Sequence, residues 1–572
     1  METWLSVLVF FILIMFFWFF HDKYVQRKHQ ILVNYPIVGR LRFIFQEFRE
    51  PFRQYFGDEK FYESMDKLDW VYNASRERIN YASFSPSQPI QKPKLMLKHT
   101  NIVLNDDEVE DDFSIVFGKE REKPFITRSI IGRGPMSDGS ISPEGTRAFV
   151  YGAKKGSFPI NSGEGGLTSN FFVTHTKYDP RYIKEVKGSS FQKKKFHLLK
   201  LLFNTPVAIE FYRKMIFSKD LELDTYVFNE QKECFYRPNW DAPLEVFPNE
   251  VPEDIADIIL QISSGLYGVR TKDGKFDMQR YEKQMRFCRM TEIKIAQGAK
   301  QTGGKLIAKK VTASIAYYRN IEVNKDAFSP NRFPYANSYE ELFDFIGELQ
   351  KISSKPVGIK IVISDYDNIE PIAKEIKRRV KLNLPYPDYI SLDGGSGGSA
   401  TAPLEMMERI GMDIRDAIYL VDKTLKEFGV RDKIMISASG KILTPDDVII
   451  TLSMGADFVQ IARGFMMSAG CIRARYCSGS GKHQCPVGLA TQDSKKRKHY
   501  FINKHADYIN NYHNNILKSM KSLLAVMGLK NVNELNKDRL IFLDKDSIIH
   551  DNIESIFERR ISSNVYKKTK IY

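Results

Sequence analysis

Cys471, Cys477 and Cys485 carry the most specific chemistry in this sequence. Five residues separate the first two, seven separate the second pair, and a Gly- and Ser-rich stretch lies between Cys477 and Cys485. Several soft thiolates on one segment that can wrap around a group are what an iron–sulfur cluster requires, and electron transfer is the first function they suggest. The plainer alternative is that Cys471 packs in a core and the other two are incidental. Packing alone, however, does not demand the Pro486-Val487-Gly488-Leu489-Ala490-Thr491-Gln492 run that follows. Cys234 and Cys288 are scattered and read as small core residues, the usual fate of a lone cysteine. Five cysteines in 572 residues are too few for a disulfide scaffold, and their odd number points to a reducing compartment and a metal.

The elements that must position these groups are clearest between about 355 and 465. Val357–Ile363, Tyr389–Leu392, Lys433–Ser437 and Asp457–Ala462 are short β-rich apolar runs. Between them lie helical spacings: Ile414, Ala417, Ile418, Val421 and Leu425, then Val448 to Met454 after the start signal Thr444-Pro445-Asp446-Asp447. Strands alternating with helices imply a parallel sheet. Gly-rich loops directly after the strands, at Asp393-Gly394-Gly395, Ala438-Ser439-Gly440 and Arg463-Gly464, favour an α/β fold of the (β/α)8 TIM-barrel kind, with its site at the strands' carboxyl ends. A doubly wound sheet is the second choice, and it would expect a G-x-G-x-x-G fingerprint that is not convincing here.

The 17 residues from Trp4 to Phe20 are apolar except Ser6. As a helix they would span about 26 Å, at the short end of what crosses a bilayer core. Lys23, Arg27, Lys28, Arg40 and Arg42 follow, and only Glu2 precedes, so the positive-inside bias places the bulk of the protein in the cytoplasm. A cleaved signal peptide fits poorly, without a basic n-region or a small-residue cleavage site. The expected organisation is an anchor with its flank over 1–30, an extension over 31–120 with a solvated acidic loop at 105–112, the barrel with its cysteine loop over 121–500, and a helical, surface-coating extension over 501–572. In that last part helices are expected from Asn510 to Met527 and from Asp546 to Arg560. The formal charge of +15 suits anionic ligands, an acidic redox partner or an anionic membrane face. Nucleic acid is not expected: zinc-finger, RNP-type and helix-turn-helix signatures are missing, and Lys and Arg spread along the whole chain.

Six segments in matching order resemble the FMN-binding synthase domain of glutamate synthase, over about residues 125 to 500. Gly134-Pro135-Met136-Ser137-Asp138-Gly139-Ser140-Ile141-Ser142 is similar to the family's A-M-S-x-G-S-[IL]-S segment, and Asn161-Ser162-Gly163-Glu164-Gly165-Gly166 to its N-T-G-E-G-G loop. Ser263–Val269 resembles S-G-R-F-G-V, and Glu292-Ile293-Lys294-Ile295-Ala296-Gln297-Gly298-Ala299-Lys300 resembles Q-I-K-x-A-Q-G-A-K. The Gly-rich segment from Asp393 and the cysteine run ending in Cys485–Asp493 complete the set.

The resemblance implies an oxidoreductase acting on CH–NH2 groups, with FMN and a 3Fe-4S cluster on the three cysteines. Pro135, Met136, Ser137, Gln297, Lys360, Asp393, Gly394, Gly395, Gly440, Arg463 and Gly464 would hold FMN. Lys360, inward on its strand, would face the flavin's N1–C2=O edge, since an unpaired lysine in a barrel is costly unless used. The phosphate would sit at backbone N–H groups around Gly440, Arg463 and Gly464. Lys294, Lys300, Lys305 and Arg319 would bind a dicarboxylate such as 2-oxoglutarate, with Glu164, Lys294 and Lys300 at the chemistry. The implied reaction is reduction of 2-iminoglutarate, formed from 2-oxoglutarate and ammonia, to L-glutamate.

Departures from the family pattern bear on substrate more than on cofactor. The chain begins Met1-Glu2-Thr3 and lacks the amino-terminal glutaminase cysteine, so ammonia from a separate glutaminase or another source is expected, and electrons from ferredoxin or a reductase subunit. The second cysteine spacer is longer than the family's, Lys305 stands at a substrate-contacting glutamine, and Asn331-Arg332 replaces two histidines. An FMN oxidoreductase working on another amino-acid C–N bond, such as an N-alkylated glutamate, is the second reading. A membrane-anchored flavin and cluster electron carrier is the third, and it would need neither Glu164 nor Lys294.

Overall fold

The computed structural model describes residues 2–47, 64–78, 80, 93–172, 183–216, 227–298, 304–397, 402–403, 405–406, 409–473, 476–479, 484–497 and 499–565. Eight strands close a barrel: β1 Ile131–Arg133, β2 Ile160–Asn161, β3 Ile258–Ile262, β4 Met290–Lys294, β5 Val357–Ile361, β6 Tyr389–Asp393, β7 Met435–Ser439 and β8 Phe458–Ile461. Every neighbouring pair is parallel, and β8 returns to β1, as the sequence leads one to expect of a TIM barrel. β3, β5 and β6 are buried at all five positions, which is why they read as almost continuous apolar runs.

The few polar residues on these strands point inward and answer one another. Glu292 on β4 is fully buried, and its carboxylate accepts from Asn161 (2.8 Å), Gln261 (2.7 Å) and Gln460 (3.2 Å). Gln460 also donates to Ser437 at 3.0 Å and Ser391 at 3.3 Å, so one amide ties four strands. Below this layer the hairpin Ile115–Phe117 with Phe125–Thr127 plugs the amino-terminal end. Phe117 sits edge-on to Tyr389 and Phe458, each at 5.3 Å. The barrel unit therefore begins a few residues before 121.

Capping residues set the outer helices. Ser142 accepts from Gly145 N at 3.1 Å and Pro143 opens helix Pro143–Gly156; Ser338 accepts from Glu341 N at 3.1 Å to open Tyr339–Ser353. Helices Ile414–Glu427 and Pro445–Ser453 lie where the sequence spacing placed them.

The carboxyl-terminal part departs from expectation. Its first helix runs Ile502–Met527, starting before Asn510, and it is wall rather than coating. Ile509, Tyr512, Ile516, Met520 and Leu524 are all 0% exposed. Gly152 on helix Pro143–Gly156 leaves room for this contact, since a Cβ there would meet Ile509. The last helix is Ile553–Val565 instead of Asp546–Arg560, because Leu540–Leu543 and Ile549–His550 form strands that add Lys94–Leu97 to one sheet. The two extensions are thus partly a single element.

Between β2 and β3 the sequence hides an insertion. Strands Ile183–Lys187, Val227–Asn229 and Cys234–Pro238 form a sheet that carries helices Ser190–Leu202 and Thr205–Ile216 over a core of its own, Phe196, Ala208, Tyr212 and Phe235. At the amino terminus helix Glu2–Phe20 continues as a π-helical turn, His21–Val25. Residues 6–25 form the one described helix long and apolar enough to cross a membrane by length and composition. The chain then folds back, with buried Asp22 taking Arg40 at 2.6 Å, and Asn34 donates to the Pro486 carbonyl at 2.9 Å.

Candidate active site

The loops at the carboxyl ends of the strands bring several of the expected residues to the barrel mouth. Lys294, the last residue of β4, places its ammonium 2.6 Å from the Glu164 carboxylate on the loop after β2. Both side chains keep some contact with solvent, at 11% and 24% exposure. Gly163 makes the approach possible: its φ is +65°, and a Cβ there would collide with the backbone of Met136 and Ser137. The two loops therefore stack backbone on backbone, with Glu164 beside Ser137.

Arg319 closes this corner from helix Ala313–Arg319 and is 3% exposed. It donates to the Asp138 carbonyl at 2.8 Å and to Ser137 Oγ at 3.3 Å, and lies 5.5 Å from the Tyr267 ring. Burial pulls its pKa down while the nearby Glu164 charge opposes the shift. Its Nε is buried without a hydrogen-bond partner. Asp138 fixes the same loop from below, accepting from Thr168 at 2.6 Å and Asn170 at 2.8 Å.

Across the mouth, Lys360 on β5 is 5% exposed with Asp393 at 3.6 Å. Asp393 takes Gly298 N at 2.9 Å and Ser439 Oγ at 2.8 Å, which joins the ends of β4, β6 and β7. Gly440 has φ +147° and lies against the Gly394 backbone, while Gly395 N donates to Met412 O at 2.8 Å. Gly464, in contrast, is glycine because Tyr512 of helix Ile502–Met527 lies against it. Pro135, Met136 and Gln297 are half-buried at the same end, as is Arg463, which opens helix Arg463–Ser468. Lys300 lies outside the described residues. Lys305 points to Asp326 at 2.7 Å on the ribbon Lys305–Leu306 with Ala327–Phe328 and is 47% exposed, while Asn331 and Arg332 are exposed.

The three clustered cysteines share the main core, Cys485 within it and Cys471 and Cys477 packed against it. Burial pushes the Cys471 thiol up to about 12 and raises Cys477, and in both cases the charge of neighbouring cysteines adds to the shift. Among the described residues no three His, Cys, Asp or Glu side chains converge on a single-ion site. Cys234 and Cys288 are buried elsewhere, in the insertion and the barrel wall, and take no part.

One residue escaped the sequence reading. Lys310 is 6% exposed and donates to Cys477 O at 2.6 Å, and to Ser140 O and Ala490 O at 3.4 Å each. It joins the Met136–Ser140 loop to the cysteine loop, and its burial pulls its pKa down, against the attraction of Cys477 and Cys485. A cavity of about 210 Å³ opens beside it, lined by Ile307, Gly479, Gln484 and Thr491. Only the pairing of a lysine with a distant cysteine run could have revealed it, and sequence alone does not pair them.

Residues 73–530 match the profile described as the conserved region in glutamate synthase. The chain is 26% identical to the glutamate synthase large subunit-like protein YerD of Bacillus subtilis, over 98% of this chain and 100% of that protein. It is 33% identical to the archaeal-type glutamate synthase [NADPH] of Thermotoga neapolitana, over 51% of this chain and 54% of the relative, so it spans about half that relative's length. It is 31% identical to the ferredoxin-dependent glutamate synthase of Antithamnion sp., over 50% of this chain and 17% of the relative.

Proposed function

The chain belongs to the glutamate synthase family, whose members are oxidoreductases acting on CH–NH2 groups, and from that premise we propose that it reduces 2-iminoglutarate to L-glutamate. The Lys294–Glu164 pair carries the reading. A cation and a carboxylate 2.6 Å apart at the mouth of the barrel can divide the work on an anionic keto acid. Lys294 holds a substrate carboxylate, which frees Glu164 from its ion pair. Ammonia attacks the keto carbon, and Glu164 carries protons from the nitrogen of the adduct to its oxygen, which leaves as water, so that 2-oxoglutarate and ammonia give 2-iminoglutarate and water. Arg319 keeps the Ser137–Asp138 loop in place behind them and adds a buried positive charge that favours a dicarboxylate.

The residues fit FMN as the resident group. Lys360, buried with one carboxylate at 3.6 Å, suits a ring edge that gains negative charge, and Pro135, Met136, Ser137 and Gln297 would flank the ring. Asp393, Gly394, Gly395, Gly440, Arg463 and Gly464 would serve the remainder of the cofactor. When bound, FMN supplies the hydride that the imine accepts. The three thiols also suit an iron–sulfur cluster, whose thiolates stand farther apart than those of a single ion. Burial keeps Cys471 and Cys477 protonated alone, and a cluster would displace those protons and pass electrons one at a time. We read the helix at residues 6–25 as a single anchor, with Lys23, Arg27 and Lys28 keeping the barrel on the cytoplasmic side. Electrons would come from ferredoxin or a reductase subunit, and ammonia from a separate source.

The test is an anaerobic assay of the full chain with dithionite-reduced viologen, 2-oxoglutarate and ammonium, followed by chiral analysis. L-glutamate is expected. Bound flavin without glutamate would favour the second reading, another amino-acid C–N bond, which the engagement of Lys305 with Asp326 makes specific.

A further inference from the structure

The insertion between β2 and β3 ends in a helical hairpin with a bare apolar tip. Leu198, Leu201 and Leu202 close helix Ser190–Leu202 at 56, 84 and 66% exposure; Phe203, Val207 and Phe211 follow at 48, 38 and 45%. The opposite side of the same hairpin already fills the insertion's core, where Phe196, Ala208 and Tyr212 are 0% exposed. Among the described residues, folding of the insertion therefore leaves this second apolar set exposed. Single exposed leucines need no explanation, but six around one turn form a patch of the kind that a partner or a lipid surface covers.

Charge decides between these occupants. Residues 183–238 carry eleven Lys and Arg against seven Asp and Glu, and the described cations gather at the hairpin. Lys194 and Lys195 are exposed on the helix that leads to the tip, with Lys193 and Lys200 half-buried beside them and Lys214 exposed on the returning helix. Lys195 lies 4.5 Å from the exposed Phe191 ring and Lys200 4.6 Å from Phe196, so the cationic stems lie along aromatic surface. An apolar wedge with a basic collar complements an anionic bilayer: leucine and phenylalanine enter the acyl boundary while lysine meets the phosphate heads. The same chain carries an apolar helix at residues 6–25 that is long enough to cross such a bilayer.

We propose that the Leu198–Phe211 tip docks into the headgroup layer of an anionic membrane, as a second contact besides the amino-terminal helix. This rests on the anchored reading given above, and the test separates the two. Leu201→Trp is made in the full chain, reconstituted in nanodiscs of phosphatidylcholine with phosphatidylglycerol, with and without doxyl-labelled lipid. The parent protein, whose four tryptophans include Trp4 and Trp18 of the amino-terminal helix, serves as the reference, and the introduced residue is read as the difference from it. The introduced tryptophan should emit to the blue and lose about half its emission to doxyl lipid, and Lys194→Glu with Lys195→Glu should restore it at least about twofold. Water-exposed, unquenched emission from the introduced residue while Trp4 and Trp18 are quenched would overturn the proposal and keep the anchor. Quenching of none of the three would overturn both. A blue shift without lipid quenching, accompanied by a doubled mass, would assign the tip to a second copy and also overturn it.

Discussion

Glu164 and Lys294 are 130 residues apart in sequence and 2.6 Å apart at the barrel mouth. The contact exists because β2 and β4 flank β3 and both loops leave from the carboxyl ends. A pair this short is charge-assisted, and neither group needs the other for folding, since both reach solvent.

Lys294→Ala should lower turnover about 10²- to 10⁴-fold, the range for a positioned binding and acid–base group. Flavin content should stay at parent level. Glu164→Gln should lower turnover comparably and raise KM less than Lys294→Ala does. Parallel steady-state kinetics and flavin spectra check this, and unchanged turnover in either variant would contradict the assignment.

Lys360→Met removes a buried ammonium and leaves Asp393 with Gly298 N and Ser439. Flavin should be retained less well through gel filtration, or its potential should fall, because the reduced ring loses its cation. The protein itself should stay folded. A parent-like flavin content and potential would place Lys360 outside the cofactor site.

Cys477→Ala should abolish iron binding and its visible absorbance while flavin remains. The loop is tied independently of the metal by Lys310 to Cys477 O and by Asn34 to Pro486 O. Iron analysis alone reads this out, and iron retained at the parent level would remove the cluster from the account.

Glu292 offers a stability test. Glu292→Ala strands the buried Asn161 and Gln261 amides, while Gln460 keeps Ser391 and Ser437, and should cost about 2 kcal/mol or more, at roughly 1–3 kcal/mol for each unpaired group. Glu292→Gln keeps most of the network and should cost much less. Denaturant midpoints decide, and equal losses in the two variants would mean that volume, not hydrogen bonding, governs the site.

His513 couples stability to pH. It stacks on Phe158 at 4.4 Å and meets Ser129 Oγ at 2.8 Å, and burial holds its imidazole down to about 4. Between that value and the ordinary ~6.5 the unfolded chain binds more protons than the folded one. The stability is complete above about pH 6.5 and is lost as pH falls toward 4, a difference of about 3 kcal/mol. His29 and His505 are also held down to about 4 by burial, so His513→Gln should make this acid limb shallower by its own share in denaturant titrations from pH 7 to 4.5; parallel limbs would contradict it.

The sequence made the later barrel legible and the earlier barrel obscure. β5 to β8 are buried on both faces and show as apolar runs, whereas β1 and β2 span three and two residues and contain Gly132, Arg133 and Asn161. The insertion was missed although Ser189 and Gln192 form a capping box at its first helix, because no apolar run sets it apart from the barrel. Lys294 and Glu164 were named through resemblance, since no local pattern pairs residues so distant. Arg319 was expected at the substrate, and the structure shows first its grip on Ser137 and Asp138. The packing of Gly464 on Tyr512 was not legible, because the contact is made by a helix whose start the periodicity had misplaced.

The most direct measurement of the central claim is a single turnover. The flavin of the full chain is bleached anaerobically with one equivalent of reductant, and 2-oxoglutarate and ammonium are added separately and then together. Return of the flavin absorbance only with both, matched by one L-glutamate per flavin and missing in Lys294→Ala, is the predicted result. No return with both, or a return that Lys294→Ala shares, would contradict the account.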